Sequence, residues 1–194
     1  MKGDFIVCLD ACVLCPPALC DMLLRLAEHP RLYRPVFSAE ILEEVKRTQM
    51  KRFKRPYSEE KADYWRTEVL NAFPEALIED GERIIPVLTN DEKDRHVLAA
   101  AIKGQAQHIV TANLKHFKEA DLAPWDITAL HPQSYLLILF EHSPERVTDC
   151  LRKIAEDRSG KGRDTTPEQV LTTLKKTVPL FAKEVAEDLG WELE

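Results

Sequence analysis

A chain of 194 residues, 44% hydrophobic and 31% charged, has room for one domain with a sizeable core and matches neither the disordered nor the fibrous classes. Its 27 basic and 33 acidic side chains leave a formal charge of −6, so any grip on nucleic acid or anionic lipid has to come from a local patch. Five cysteines, four of them between Cys8 and Cys20, make an odd number in a chain large enough not to need staples, which argues against a secreted disulfide framework and for a reducing cytoplasm.

The first apolar run, Phe5 to Leu9, is cut by Asp10 before it reaches signal-peptide length and reads as a strand buried on both faces. Pro16-Pro17 starts a helix whose Leu19, Met22, Leu23, Leu26 and Ala27 recur at helical spacing until His29-Pro30 stops it. Pro35-Val36-Phe37 is a second strand, and Ser38 caps a helix with Ile41, Leu42 and Val45 inward. Another helix follows Ser58, carries Trp65, Val69, Leu70 and Phe73 on its apolar side, and closes at Pro74. The run from Ile84 to Leu88 is expected as a third strand, placed at an edge or strand end because it contains Pro86. Thr89, Asn90 and Asp91 offer caps for a helix with Val97, Leu98, Ala101 and Ile102, stopped at Gly104.

His108 to Thr111 and Ile127 to Leu130 complete the strands, and the alternation predicts a parallel sheet covered by helices on both faces. Beyond Pro132 the signal is all helical, with Ser143-Pro144-Glu145 and Thr166-Pro167-Glu168 as helix starts and a linker from Ser159 to Asp164 between them. The longest late apolar stretch, Tyr135 to Phe140, falls far short of the roughly 20 residues a membrane span requires.

Ligands in open parallel sheets bind at the carboxyl ends of strands, so the residues ending each strand are the informative ones. Asp10 ends the first strand; Asp91 and Asp94 follow the expected third; Thr111-Ala112-Asn113 follow the fourth; Glu43 and Glu44 lie on the helix after the second. Each has a structural reading beside the functional one: Asp10 as a turn residue, Asp91 as a helix cap, Asp94 as a complement to the helix dipole. Glu43 and Glu44 flank the apolar stripe at similar angles, and periodicity does not choose between them. Carboxylates drawn from separate crossovers to one rim repel unless a cation compensates, and oxygen ligands without a zinc-like pattern favour Mg²⁺ or Mn²⁺.

Four segments then carry a resemblance. Leu9-Asp10-Ala11-Cys12-Val13-Leu14, the run from Ser38 to Arg47, the run from Asp94 to Ala101, and the run from Val110 to Phe117 are similar in order and spacing to the successive motifs of the PIN-domain family. The likeness spans roughly residues 5 to 130, and the helical tail resembles that of bacterial PIN-family toxins of the VapC type. It implies a three-layer α/β/α fold with a parallel, Rossmann-like sheet over residues 1–131, a helical extension over 132–194, and a Mg²⁺- or Mn²⁺-dependent ribonuclease, often the toxin of a toxin–antitoxin pair.

Matched residue by residue, the resemblance selects Asp10, Glu44 and Asp94 as the acidic centre, with Glu44 chosen because it directly precedes the motif's Val45. The chain departs from the pattern at Asn113, where many relatives carry Asp; an amide supplies an oxygen without charge, and Asp91 is available to supply the missing carboxylate. The expected roles are direct metal contact by Asp10 and Asp94, a second ion or a water held by Glu44, and a ligand water positioned by Asn113 with Thr111. Lys46, Arg47, Lys51, Arg52, Lys54 and Arg55 follow the glutamates. Their structural reading is a solvated helix face, and their position beside the cleft makes Arg47, Lys51, Arg52 and Arg55 candidates for holding RNA phosphates. The resemblance also implies a small antitoxin that masks the cleft, with the C-terminal helices as places for its docking or for homodimer contacts.

Two other readings compete. Cys12-Val13-Leu14-Cys15, with Cys8 and Cys20 nearby, invites thiol-redox or zinc chemistry, against which cysteine commonly serves as a small core hydrophobe. A non-catalytic protein that keeps the fold but binds metal weakly through Asn113 is the other. A glycine-rich phosphate loop is absent from the sequence, and His96, His108 and His116 read as ordinary surface or strand-end histidines.

Overall fold

The structure, a computed structural model, describes residues 5–51, 56–159 and 164–193. Strand β1 (Ile6–Leu9) is followed by a single helical turn, α1 (Ala11–Leu14), and by α2 (Pro17–Glu28). Strand β2 (Arg34–Ser38) leads into α3 (Ala39–Lys51) and α4 (Glu59–Ala72). Ser38 Oγ accepts from the Ile41 amide at 3.2 Å and Ser58 Oγ from the Lys61 amide at 3.3 Å, so both serines cap the helices they precede.

Strand β3 is only Leu77–Ile78, paired with Phe37 and Ser38 at the sheet edge. The run expected as the third strand, Ile84 to Leu88, instead belongs to a 3-10 helix, Gly81–Val87. Pro86 has no amide to give a ladder, and Ile84 and Ile85 bury themselves partly by packing on the next helix, α5 (Arg95–Lys103). Asp91 and Asp94 therefore follow that 3-10 helix, and a further 3-10 turn, Glu92–Asp94, leads into α5. Strand β4 (His108–Val110), α6 (Glu119–Leu122) and β5 (Thr128–Leu130) finish the sheet.

All pairings are parallel and the order is β3-β2-β1-β4-β5. Right-handed crossovers put α2 and α3 on one face and α5 on the other, giving the three-layer α/β/α arrangement. Val7, Cys8 and Leu9 of the central strand are fully buried, as a strand covered on both faces requires. The chain leaves β1 toward β2 on one side and returns through β4 on the other, which makes the carboxyl ends of β1 and β4 the switch point of the sheet.

Among the described residues four more helices follow: α7 (Pro132–His142), α8 (Pro144–Ser159), α9 (Pro167–Leu174) and α10 (Pro179–Leu189). Thr166 caps α9 in a reciprocal box with Gln169. Residues 160–163 of the expected linker lie outside the described residues. Helices α8 and α9 pack on α2, which is thus covered on its outer side. Tyr135 of α7 meets Tyr33 edge-on at 5.2 Å, and Phe140 meets Phe181 of α10 at 6.5 Å. Across the α2–α8 seam Asp21 holds Arg158 at 2.9 Å, and Arg25 spans Asp21 at 2.6 Å and Asp157 at 2.5 Å. One hydrophobic cluster runs from the sheet through α2 into these helices. Among the described residues no helix is long and apolar enough to cross a membrane.

Candidate functional site

The register of β1 against β4 sets Leu9 beside Val110, so the next residues, Asp10 and Thr111, meet at the carboxyl edge. The Asp10 amide donates to Val110 O at 3.2 Å and continues the ladder by one step. Asp10 is 3% exposed and Thr111 is fully buried. Thr111 Oγ1 donates to Asp10 Oδ2 at 2.6 Å and accepts from the Asn113 amide at 3.0 Å. Cys12 Sγ donates to the same Oδ2 at 3.0 Å and accepts from the Ala112 amide at 3.2 Å.

The proton count settles these roles. Thr111 and Cys12 have one proton each, and both are spent on Oδ2, whereas Oδ1 faces the Cys12 amide at the long distance of 3.5 Å. Oδ1 keeps its acceptor capacity for a ligand. Asp10 is also the N-cap of α1, which bears out its structural reading as a turn residue.

Asp94 is the N-cap residue of α5 but makes no side-chain capping bond, and its carboxylate is 13% exposed. Burial raises its pKa above the ordinary carboxyl value, and the charges of Asp10 and Asp91 push the same way against a hydrogen bond from His116 that lowers it. Asp91 is exposed and accepts from the Lys93 amide at 3.1 Å. Ligand atoms of Asp91, Asp94 and His116 all lie within 4.8 Å of one another. Asp10 and Glu44 stand outside that trio.

The two glutamates part company. Glu43 faces Arg66 of α4 at 3.9 Å, while Glu44 reaches His96 of α5 at 3.6 Å. Burial opposes the charge on the His96 ring, but Glu44, together with Glu40 and Asp10, outweighs it and raises the pKa above the usual histidine value. Glu44 is thus the glutamate turned toward the first turn of α5, the helix that Asp94 precedes. Of the basic run, Lys46 is held between Glu59 at 3.2 Å and Asp63 at 2.7 Å and ties α3 to α4. Arg47 and Lys51 are exposed; Arg52, Lys54 and Arg55 lie outside the described residues.

The thiol reading meets a physical obstacle. Burial, with Asp10 beside it, pushes the Cys12 thiol far above its usual pKa, the reverse of what a redox nucleophile needs. Cys8 is buried likewise and donates to Val97 O, and no disulfide joins any of the five cysteines. His116, read from the sequence as an ordinary histidine, sits on Asp94 with Nδ1 2.8 Å from Oδ2. Spacing carries no sign of this, since the two residues are 22 apart and meet because α5 packs back on β4, bringing the start of the helix to the carboxyl end of the strand.

The profile of the PIN domain matches residues 6–115, more than half of the chain. The chain belongs to the PIN-domain family. This PIN domain is 40% identical over 102 residues to the "Putative ribonuclease VapC50" of Mycobacterium tuberculosis (strain ATCC 25618 / H37Rv), an alignment covering 51% of this chain and 57% of that protein. The matched span runs from β1 to the turn after β4, so it contains Asp10, Glu44, Asp91, Asp94, Thr111 and Asn113.

Proposed function

We propose that this PIN domain is a Mg²⁺- or Mn²⁺-dependent endoribonuclease that hydrolyses RNA phosphodiester bonds, and that it acts in the bacterial cytoplasm as the toxin of a toxin–antitoxin pair. The observation that carries the reading is the group of Asp91, Asp94 and His116, whose ligand atoms lie within 4.8 Å of one another, with the charges of Asp10 and Asp91 acting against ionised Asp94. Such repulsion in a partly buried cleft is relieved by a cation, and the oxygen donors present suit a hard one. Similarity to a protein whose printed name is ribonuclease points the same way.

Asp10 and Asp94 would hold the ion, with Asp91 at its exposed side and Glu44 oriented by His96 toward a second ion or the attacking water. A divalent ion at this position neutralises charge developing on the phosphate and lowers the pKa of a bound water. The chain's own part is positional. Thr111 and Cys12 lock one oxygen of Asp10 and leave the other available; His116 braces Asp94; Asn113, whose amide is held by Thr111, lies beside them. Arg47 and Lys51, exposed at the end of α3, would meet RNA phosphates. Asp91 beside Asp94 offsets the missing charge at Asn113 and His116 adds a donor atom, which favours catalysis over a purely binding role. Residues 132–194 are taken as an extension that presents docking surface to an antitoxin or to a second copy.

The test is cleavage of a single-stranded RNA by purified protein with Mg²⁺ or Mn²⁺. Wild type is expected to cut, and Asp10→Asn is expected to keep its circular dichroism spectrum while losing cleavage. Equal cutting by a folded Asp10→Asn protein refutes the assignment, as does a wild type that leaves RNA intact with either ion.

A further inference from the structure

The Asp94–His116 contact is an ion pair, and both of its residues belong to a trio with the donor atoms of a metal centre. The ring is carried by a 3-10 turn, Leu114–His116, directly after β4, and the His116 amide bonds to Asn113 O at 2.9 Å. The strand that sets Thr111 on Asp10 therefore also sets His116 on Asp94. Nδ1 and Asp94 Oδ2 are 2.8 Å apart, and Asp91 completes a group whose ligand atoms span no more than 4.8 Å. With ligand distances of about 2.1 Å, adjacent corners of an octahedron are about 3 Å apart and opposite corners about 4.2 Å. A span of up to 4.8 Å is within a few tenths of an ångström of that limit, so small side-chain rotations bring the trio to the spacing of a partial coordination shell.

We infer that His116 is itself a ligand, through Nδ1, so that the centre presents one imidazole with the carboxylates of Asp91 and Asp94 and prefers a first-row transition dication such as Mn²⁺ to Mg²⁺. The inference rests on the proposed reading that an ion occupies this cleft. Its chemistry is that Mg²⁺ takes oxygen donors and gives up water reluctantly, whereas first-row transition ions accept imidazole nitrogen. A neutral ring also adds a donor without adding to the repulsion among Asp10, Asp91 and Asp94, which a fourth carboxylate would do. The ring thereby compensates for the amide that this chain carries at Asn113. The alternative, that His116 only donates a hydrogen bond to Asp94, leaves the ion all-oxygen and makes a different spectroscopic prediction.

The experiment is pulsed electron paramagnetic resonance on the full chain loaded with Mn²⁺, prepared with natural-abundance and with ¹⁵N-labelled histidine, beside calorimetric titrations of Mn²⁺ and Mg²⁺. Wild type is expected to show nitrogen modulation that changes with the ¹⁵N label. In His116→Gln the modulation should vanish, and the ratio of Mn²⁺ to Mg²⁺ affinity should fall by about tenfold or more, the scale of losing a group that orients or ligates a metal. Mn²⁺ that binds wild type, is lost in Asp94→Asn, and shows no histidine nitrogen overturns the inference and leaves the acidic centre standing. Modulation that persists in His116→Gln overturns it too. Failure of wild type to bind Mn²⁺ at all sinks both the inference and the proposed function. The labelled wild-type spectrum needs no substitution, so a misfolded variant does not shield the claim.

Discussion

Replacing Thr111 with valine removes one hydroxyl and almost no volume, so it isolates the hydrogen bonds that fix Asp10. The hydroxyl is fully buried, donates to a carboxylate that is 3% exposed, and accepts from the Asn113 amide. A hydrogen bond to a charged group contributes about 1.5–3 kcal/mol, and the half-buried Asn113 amide adds less because water can replace its partner. Stability should therefore fall by about 2–3 kcal/mol, which for a chain of this size lowers Tm by roughly 4–12 °C. The second effect is functional: with Oδ2 released, the carboxylate can rotate, and divalent-ion affinity should drop about 10–100-fold. Thr111→Ser keeps the hydroxyl and should restore most of both. Denaturant unfolding and ion titration of the two variants measure the pair of effects. A Thr111→Val protein as stable as wild type, with unchanged ion affinity, would refute the claim that this bond holds the site.

Three further expectations follow from other residues. His108 starts β4 beside the Phe5 ring, and burial lowers its pKa. The unfolded chain then takes up its proton first as pH falls, so this residue's contribution is present above about pH 6.5 and is lost as pH falls through the folded value. His108→Gln should flatten the acid side of the stability profile, and an identical profile would contradict the assignment. Neutralising Arg47 and Lys51 together should lower the slope of log RNA affinity against log salt by about 1 to 2, since each phosphate contact releases counterions; an unchanged slope removes them from the RNA path. The Cys12 thiol should react with a thiol reagent at pH 8 far more slowly than free cysteine, because burial and Asp10 disfavour its thiolate, and fast labelling would revive a redox role.

Much of the fold was legible because its signals are local. An apolar run stopped by Asp10, serine caps at Ser38 and Ser58, and the Thr166-Pro167 start each depend on neighbours within one turn, and the structure places strands and helices accordingly. The run from Ile84 to Leu88 misled because a short apolar stretch buries itself equally well as a strand or as a tight helix, and the packing of the next helix, α5, supplied the surface that favoured the helix. Lys46 read as part of a basic patch until α4 brought Glu59 and Asp63 against it.

The sequence alone determined most of the alternation of strand and helix, the acid that ends the first strand and the family likeness, since these signals act over a few residues. Only the tertiary structure decided that Glu43 turns to Arg66 and Glu44 to His96, that one oxygen of Asp10 is tied by Thr111 and Cys12, and that His116 stands against Asp94. Those relations depend on which strands and helices lie side by side. Parallel pairing joins residues about a hundred positions apart, and no local pattern records that distance.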